Sequence, residues 1–126
     1  MAGDKTHLIR ASERKRETTQ TPGMERDQSV HTPSMWAGVA RTAGNTFSGW
    51  HHHGAYESVI FVLRGRLRLE FGKRGAETLE AAEGDTLYVA PGEVHREGNP
   101  GEDRSEIVVV RGGSGELVVN VPGPSS

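Results

Sequence analysis

Three of the six histidines in this 126-residue chain stand side by side at His51, His52 and His53, and an acid, Glu57, follows them closely. In an extended segment successive side chains point to opposite faces, so His51 and His53 converge while His52 points away. The step Gly54-Ala55-Tyr56 is short and flexible enough to turn the chain, which lets Glu57 approach the same point from the start of the next strand. A further histidine, His95, follows a Pro91-Gly92 turn. Proline presets its own φ and glycine tolerates a left-handed backbone, so this reads as a rigid corner that fixes where His95 points. The chain has no cysteine, so any metal must be held by nitrogen and oxygen. Three neutral imidazoles and one carboxylate make a site of intermediate hardness, suited to one divalent ion of iron, manganese, nickel, cobalt or zinc. With octahedral coordination two positions stay open for water, dioxygen or a bidentate substrate, and such an ion polarises carbonyl or enolate oxygens. Glu57 is alternatively a general base, if it stands off the metal. The competing readings are a surface histidine tract and, for His95 alone, a hydrogen-bonded loop histidine. The internal position of the triplet between Trp50 and Gly54 argues against a tag remnant. His7 and His31 lie in polar surroundings and receive no role.

The elements that must position these residues are short. From Met35 onward, segments rich in β-branched and apolar residues alternate with Gly, Pro, Asn and Asp, which is an all-β signature. Strands are expected at residues 36–41, 48–53, 58–64, 66–71, 77–81, 86–90, 107–111 and 117–121. Period two is visible in the fourth of them, where Leu67, Leu69 and Phe71 share one face and Arg66, Arg68 and Glu70 the other. No segment carries a capped helical period, and 17 glycines mark many tight turns, so little or no helix is expected. A double-sheet jelly roll protects its edges and leaves a mouth for a ligand; strand count alone also admits an immunoglobulin-like sandwich. Residues 1–29 read as a polar N-terminal arm or edge strand, 30–122 as the barrel and 123–126 as a C-terminal tail. The basic residues Arg10, Arg14, Lys15 and Arg16 are interleaved with Glu13 and Glu17, which favours a solvated face over an anionic partner.

The two histidine-bearing stretches resemble the paired motifs of the cupin superfamily. The first motif is matched by Gly49, His51, His53, Glu57 and Gly65, and the second by Gly84, Pro91, Gly92, His95 and Asn99. The resemblance implies a jelly-roll β-barrel, with a metal inside its mouth bound by His51, His53, Glu57 and His95. The chain departs from the usual pattern by one extra residue between Glu57 and Gly65. Either a bulge absorbs that residue, or the register slips and His52 replaces one of its neighbours as a ligand.

The formal net charge of -2 gives no basic field for a nucleic-acid backbone. No apolar run approaches the roughly 20 residues of a membrane span, and a cysteine-free soluble chain suits the cytoplasm. Aromatic residues at Trp36, Phe47, Trp50, Phe61, Phe71 and Tyr88 are expected to line the barrel, as core or as walls of a pocket for a small organic molecule. The leading functional expectation is a metal-dependent oxygenase or isomerase acting on such a molecule. The rival is a non-catalytic binding or sensing module in which the metal is structural or anchors a ligand. By analogy with cupins a homodimer is expected, formed by sheet packing or by exchange of the segment around residues 28–36.

Overall fold

The computed structural model describes residues 5–17 and 22–126. Twelve strands account for the regular structure: β1 Lys15–Arg16, β2 Met24–Thr32, β3 Met35–Thr42, β4 Thr46–Phe47, β5 His51–His52, β6 Glu57–Arg64, β7 Arg66–Phe71, β8 Glu77–Ala82, β9 Thr86–Val89, β10 His95–Asn99, β11 Ser105–Gly112 and β12 Val119–Asn120. The helical content among the described residues is a single 3-10 turn at Ala11–Glu13. One sheet runs β1-β2-β3-β11-β6-β9, and the other β12-β5-β10-β7-β8 with β4 added beside β10. All strand pairs are antiparallel, and the two sheets face each other as a jelly roll.

The first sheet supplies most of the core. Ile60 and Val62 on β6, Leu87 and Val89 on β9, Ile107 and Val109 on β11, and Trp36 and Ala40 on β3 are all buried by period-two alternation. From the second sheet Leu67, Leu69 and Ala81 complete this cluster. Full burial of each Val, Leu or Ile side chain contributes roughly 1.5–3 kcal/mol. The chain changes sheets at Gly65, where φ is +77° and a Cβ would press on Ser105, so glycine suits the corner. Just before it, Arg64 pairs with Glu106 while Val62 pairs with Ile107, so Leu63 is the extra residue of a bulge. That bulge takes up the additional residue between Glu57 and Gly65.

Several expectations are corrected. The strand expected at 48–53 shrinks to β5 at His51–His52, with the separate short β4 before it at Thr46–Phe47 and an irregular link between them. In the stretch expected as a polar arm or edge strand, β1 is the edge of the first sheet, and β2, which runs on to Thr32, lies between it and β3. The polar sequence of β2 fits its place, because Met24, Arg26 and His31 line an open cavity and not the apolar core. β10 was read only as a turn followed by a histidine, yet it is a central strand with β7 on one side and β4 and β5 on the other. Phe61 and Tyr88 do not line the barrel: they are 40% and 55% exposed on the outer face of the first sheet.

Candidate metal centre

β5 and β10 are cross-strand neighbours, with His51 directly opposite His95. Alternation then does the rest. His53 follows His51 at a period of two and shares its face, and Glu97 follows His95 in the same way. His51, His53, His95 and Glu97 are all buried, and their ligating atoms lie within 4.8 Å of one another. The three ring centroids are 4.4 to 5.1 Å apart. His52 is outside the cluster; its Nδ1 accepts a hydrogen bond from the Gly54 amide at 3.0 Å and steadies the turn. The triplet therefore splits as alternation requires.

Each clustered imidazole is held at its other nitrogen by a main-chain carbonyl. His51 Nδ1 lies 2.9 Å from Gly49 O, His53 Nδ1 2.6 Å from Leu117 O, and His95 Nδ1 2.9 Å from Glu93 O. A carbonyl can only accept, so each Nδ1 carries a hydrogen, and Nε2 is the atom each ring turns toward the cluster. The Nε2 atoms of His51 and His95 are buried without a hydrogen-bond partner and stand 3.5 and 3.7 Å from Glu97 Oε1. Burial, reinforced by the nearby charge of Arg111, pushes the His53 imidazole down to about 3, so it is neutral. Burial alone would raise the Glu97 carboxyl, but hydrogen bonding and positive charge from the facing His51 and His95 rings outweigh it and hold the group well below the usual carboxylate range. Positive charge is what stabilises the buried carboxylate among these rings, and a divalent cation supplies it while engaging the three Nε2 atoms as ligands. First-row metal bonds to nitrogen and oxygen are about 2.0–2.2 Å, so the cluster has the right span for one ion. Carbonyl-oriented imidazoles are also the usual outer support of such ions.

The acid expected in the cluster is not there. Glu57 sits at the start of β6, where Ser58, Ile60 and Val62 take the inward positions, so Glu57 projects outward. It accepts a hydrogen bond from the Tyr88 hydroxyl at 2.9 Å. Neither metal binding nor general-base chemistry at the cluster is open to it from that face. Glu97 takes its place, and the signal for it was His95-x-Glu97, the same spacing as His51-x-His53. Asn99, the next inward residue of β10, is fully buried and structural. Its Nδ2 donates to Thr42 O at 3.1 Å and Asp103 O at 2.6 Å, and its Oδ1 accepts from the Gly101 amide at 2.9 Å, closing the loop before β11.

His51 also stands on the wall of a cavity of about 570 Å³. Trp36, Ala40, Leu117 and Val118 give that cavity apolar surface, and Arg26, Arg111, Glu17 and Glu116 give it charge. A volume of this size holds a small organic molecule.

A cupin-domain family model matches residues 38–111, more than half of the chain. No curated protein matches the sequence. Among solved structures, an uncharacterized conserved protein with a double-stranded beta-helix domain from Klebsiella pneumoniae has a TM-score of 0.73 and 17% identity, covering 93% of this chain and 98% of its own. A predicted oxalate decarboxylase from Thermotoga maritima has a TM-score of 0.70 and 17% identity, covering 85% and 99%. KdgF from Halomonas sp. has a TM-score of 0.69 and 18% identity, covering 86% and 94%. At these identities the likeness is one of fold.

Proposed function

Because this chain belongs to the cupin family, with a buried cluster of three histidines and a glutamate in its barrel, we propose that it is a metal-dependent enzyme, an oxygenase or isomerase of small organic molecules. In this reading His51, His53, His95 and Glu97 hold one divalent ion. The observation that carries it is the set of three Nε2 atoms, each ring fixed by a carbonyl behind it, meeting one carboxylate in a buried cluster. When bound there, a divalent ion supplies Lewis acidity toward a carbonyl or enolate oxygen and, in the case of iron, reactivity toward dioxygen. The chain's own residues orient and exclude. The carbonyls of Gly49, Glu93 and Leu117 fix the rings, Glu97 offsets part of the ionic charge, and Trp36, Leu117 and Val118 give the adjoining cavity apolar surface.

The test is elemental analysis of protein purified without a polyhistidine tag. Wild type should hold about one ion per chain, His51→Ala and His95→Ala should lose it, Glu97→Gln should weaken it, and Glu57→Gln should leave it unchanged. Wild type without stoichiometric metal overturns the reading. Metal-loaded protein with no turnover across diketone, catechol, flavonol and keto-sugar panels would favour a non-catalytic binding module instead.

The protein is further proposed to act as a cytoplasmic homodimer. Support comes from the outer face of the first sheet, where Tyr88, Val59 and Val110 stand in register across β9, β6 and β11, beside Phe61. Exposed apolar residues in such a continuous row mark an interaction surface.

A further inference from the structure

Among the described residues, Arg111 is the buried charged side chain of the cavity that the metal centre does not use. It ends the inward row of β11, is 3% exposed, and lines the cavity that His51 also lines. Its guanidinium lies 4.8 Å from the Trp36 ring centroid, and Trp36 is itself held by an Nε1–H bond to Gln28 Oε1 at 3.1 Å. Arg111 Nε is buried without a hydrogen-bond partner, and so is the hydroxyl of Ser58, its cross-strand neighbour on β6. Arg26, from β2, lines the same cavity.

A buried cation with unused donors is costly unless something anionic completes it. Burial pushes Arg111 down to about 10, with Arg26 acting in the same direction and the more distant charges of Glu97 and Glu17 in the opposite one, and it remains charged at neutral pH. Arg111 makes no ion pair with any described carboxylate. Glu25, a cavity acid, is engaged by Arg16 and Arg41. Stacking on Trp36 fixes the plane of the guanidinium, so its fork is presented in one orientation, as bidentate recognition requires.

We propose that Arg111, backed by Trp36 and assisted by Arg26, is a carboxylate-binding subsite beside the metal centre, so that the substrate is a small organic acid. This rests on the metal-centre reading for its catalytic meaning, but the subsite stands on Arg111 and the cavity alone. A planar carboxylate matches the single fixed fork. Glu17 and Glu116 on the same wall limit the positive field, which disfavours a phosphate dianion.

Pyruvate serves as the probe, with pyruvamide as its uncharged control and inorganic phosphate as the competing anion. Calorimetry is run on wild type and Arg111→Gln, each with and without added Co(II), with metal content measured on the same samples. The expected result is pyruvate binding that is weakened about tenfold or more in Arg111→Gln at unchanged metal content, with pyruvamide weak in both. Equal pyruvate affinity in the two proteins, or tighter binding of phosphate than of pyruvate, overturns the subsite while leaving the metal centre intact. If wild type takes up no metal, the metal reading fails separately. The metal-free comparison then decides the subsite: loss of binding in the variant supports it, and equal or absent pyruvate binding overturns it. Should Arg111→Gln not fold, Arg111→Lys, which keeps the charge and loses the planar fork, replaces it in the same comparison, with an expected loss of about threefold to fivefold and the same overturning result.

Discussion

Arg41 Nη2 and Asp27 Oδ2 lie 2.6 Å apart on neighbouring strands, each side chain only 10% exposed. Arg16 reaches the other Asp27 oxygen from β1, so this pair ties the outermost strands to the barrel. Burial alone would raise the Asp27 carboxyl, but the hydrogen bonds and charges of Arg41 and Arg16 outweigh it and the group is lowered. A group depressed on folding stabilises above its unfolded value, near 3.9, and loses that contribution as pH falls through the folded value. Urea midpoints should therefore fall in the acid range below about pH 4. Asp27→Asn should lose roughly 1.5–3 kcal/mol at neutral pH and show a shallower acid limb. An unchanged acid limb would assign it to other carboxylates.

Chelation should lower thermal stability if the cluster holds an ion in the folded state only. At free metal about 1,000 times Kd the linkage is worth roughly 4 kcal/mol. Differential scanning calorimetry with and without EDTA reads it directly. The gap should close in His53→Ala and persist in Glu57→Gln.

Gly98 lies between the inward residues Glu97 and Asn99, and a methyl there would run into the Thr46 carbonyl oxygen and the Phe47 ring. Gly98→Ala should push β4 off β10 and cost roughly 1–3 kcal/mol by urea unfolding. Gly112→Ala, where a Cβ meets nothing within 4 Å, is the control and should stay within about 0.5 kcal/mol.

Leu69 is 2% exposed and pairs directly with Glu97 across β7 and β10. Leu69→Ala should cost roughly 2–5 kcal/mol. If the barrel relaxes into the space, metal affinity should fall as well, which competition with a chromogenic chelator would show.

The outer apolar row should govern self-association. Size-exclusion chromatography with light scattering should give a dimer at micromolar concentration, and Val59→Lys with Phe61→Lys should give a folded monomer. A monomeric wild type would remove the role proposed for this face.

Where apolar and polar side chains alternate, as in β7, the period could be read from the sequence, and the β-branched runs of β6 and β11 showed strands without showing their parity. The strands that were missed, β2 and β10, are polar because their inner faces line a cavity and a site, and hydrophobic alternation cannot register them. The histidine pairing was legible for the same reason that the acid was not. His51-x-His53 carries its own parity, whereas β6 is apolar on both faces and hides which way Glu57 points. Tyr88 and Phe61, large and aromatic, could equally have been core or surface until the pairing of β6 with β9 placed them outside.

The carbonyls behind the three imidazoles belong to Gly49, Glu93 and Leu117, positions with nothing chemical in common. A main-chain oxygen is the same whatever side chain it accompanies. Substitutions at Glu93 and Leu117 that keep the backbone path should therefore leave the rings aimed as they are, whereas a one-residue insertion near any of the three would turn a donor away. The site is robust to changes of letter and vulnerable to changes of length.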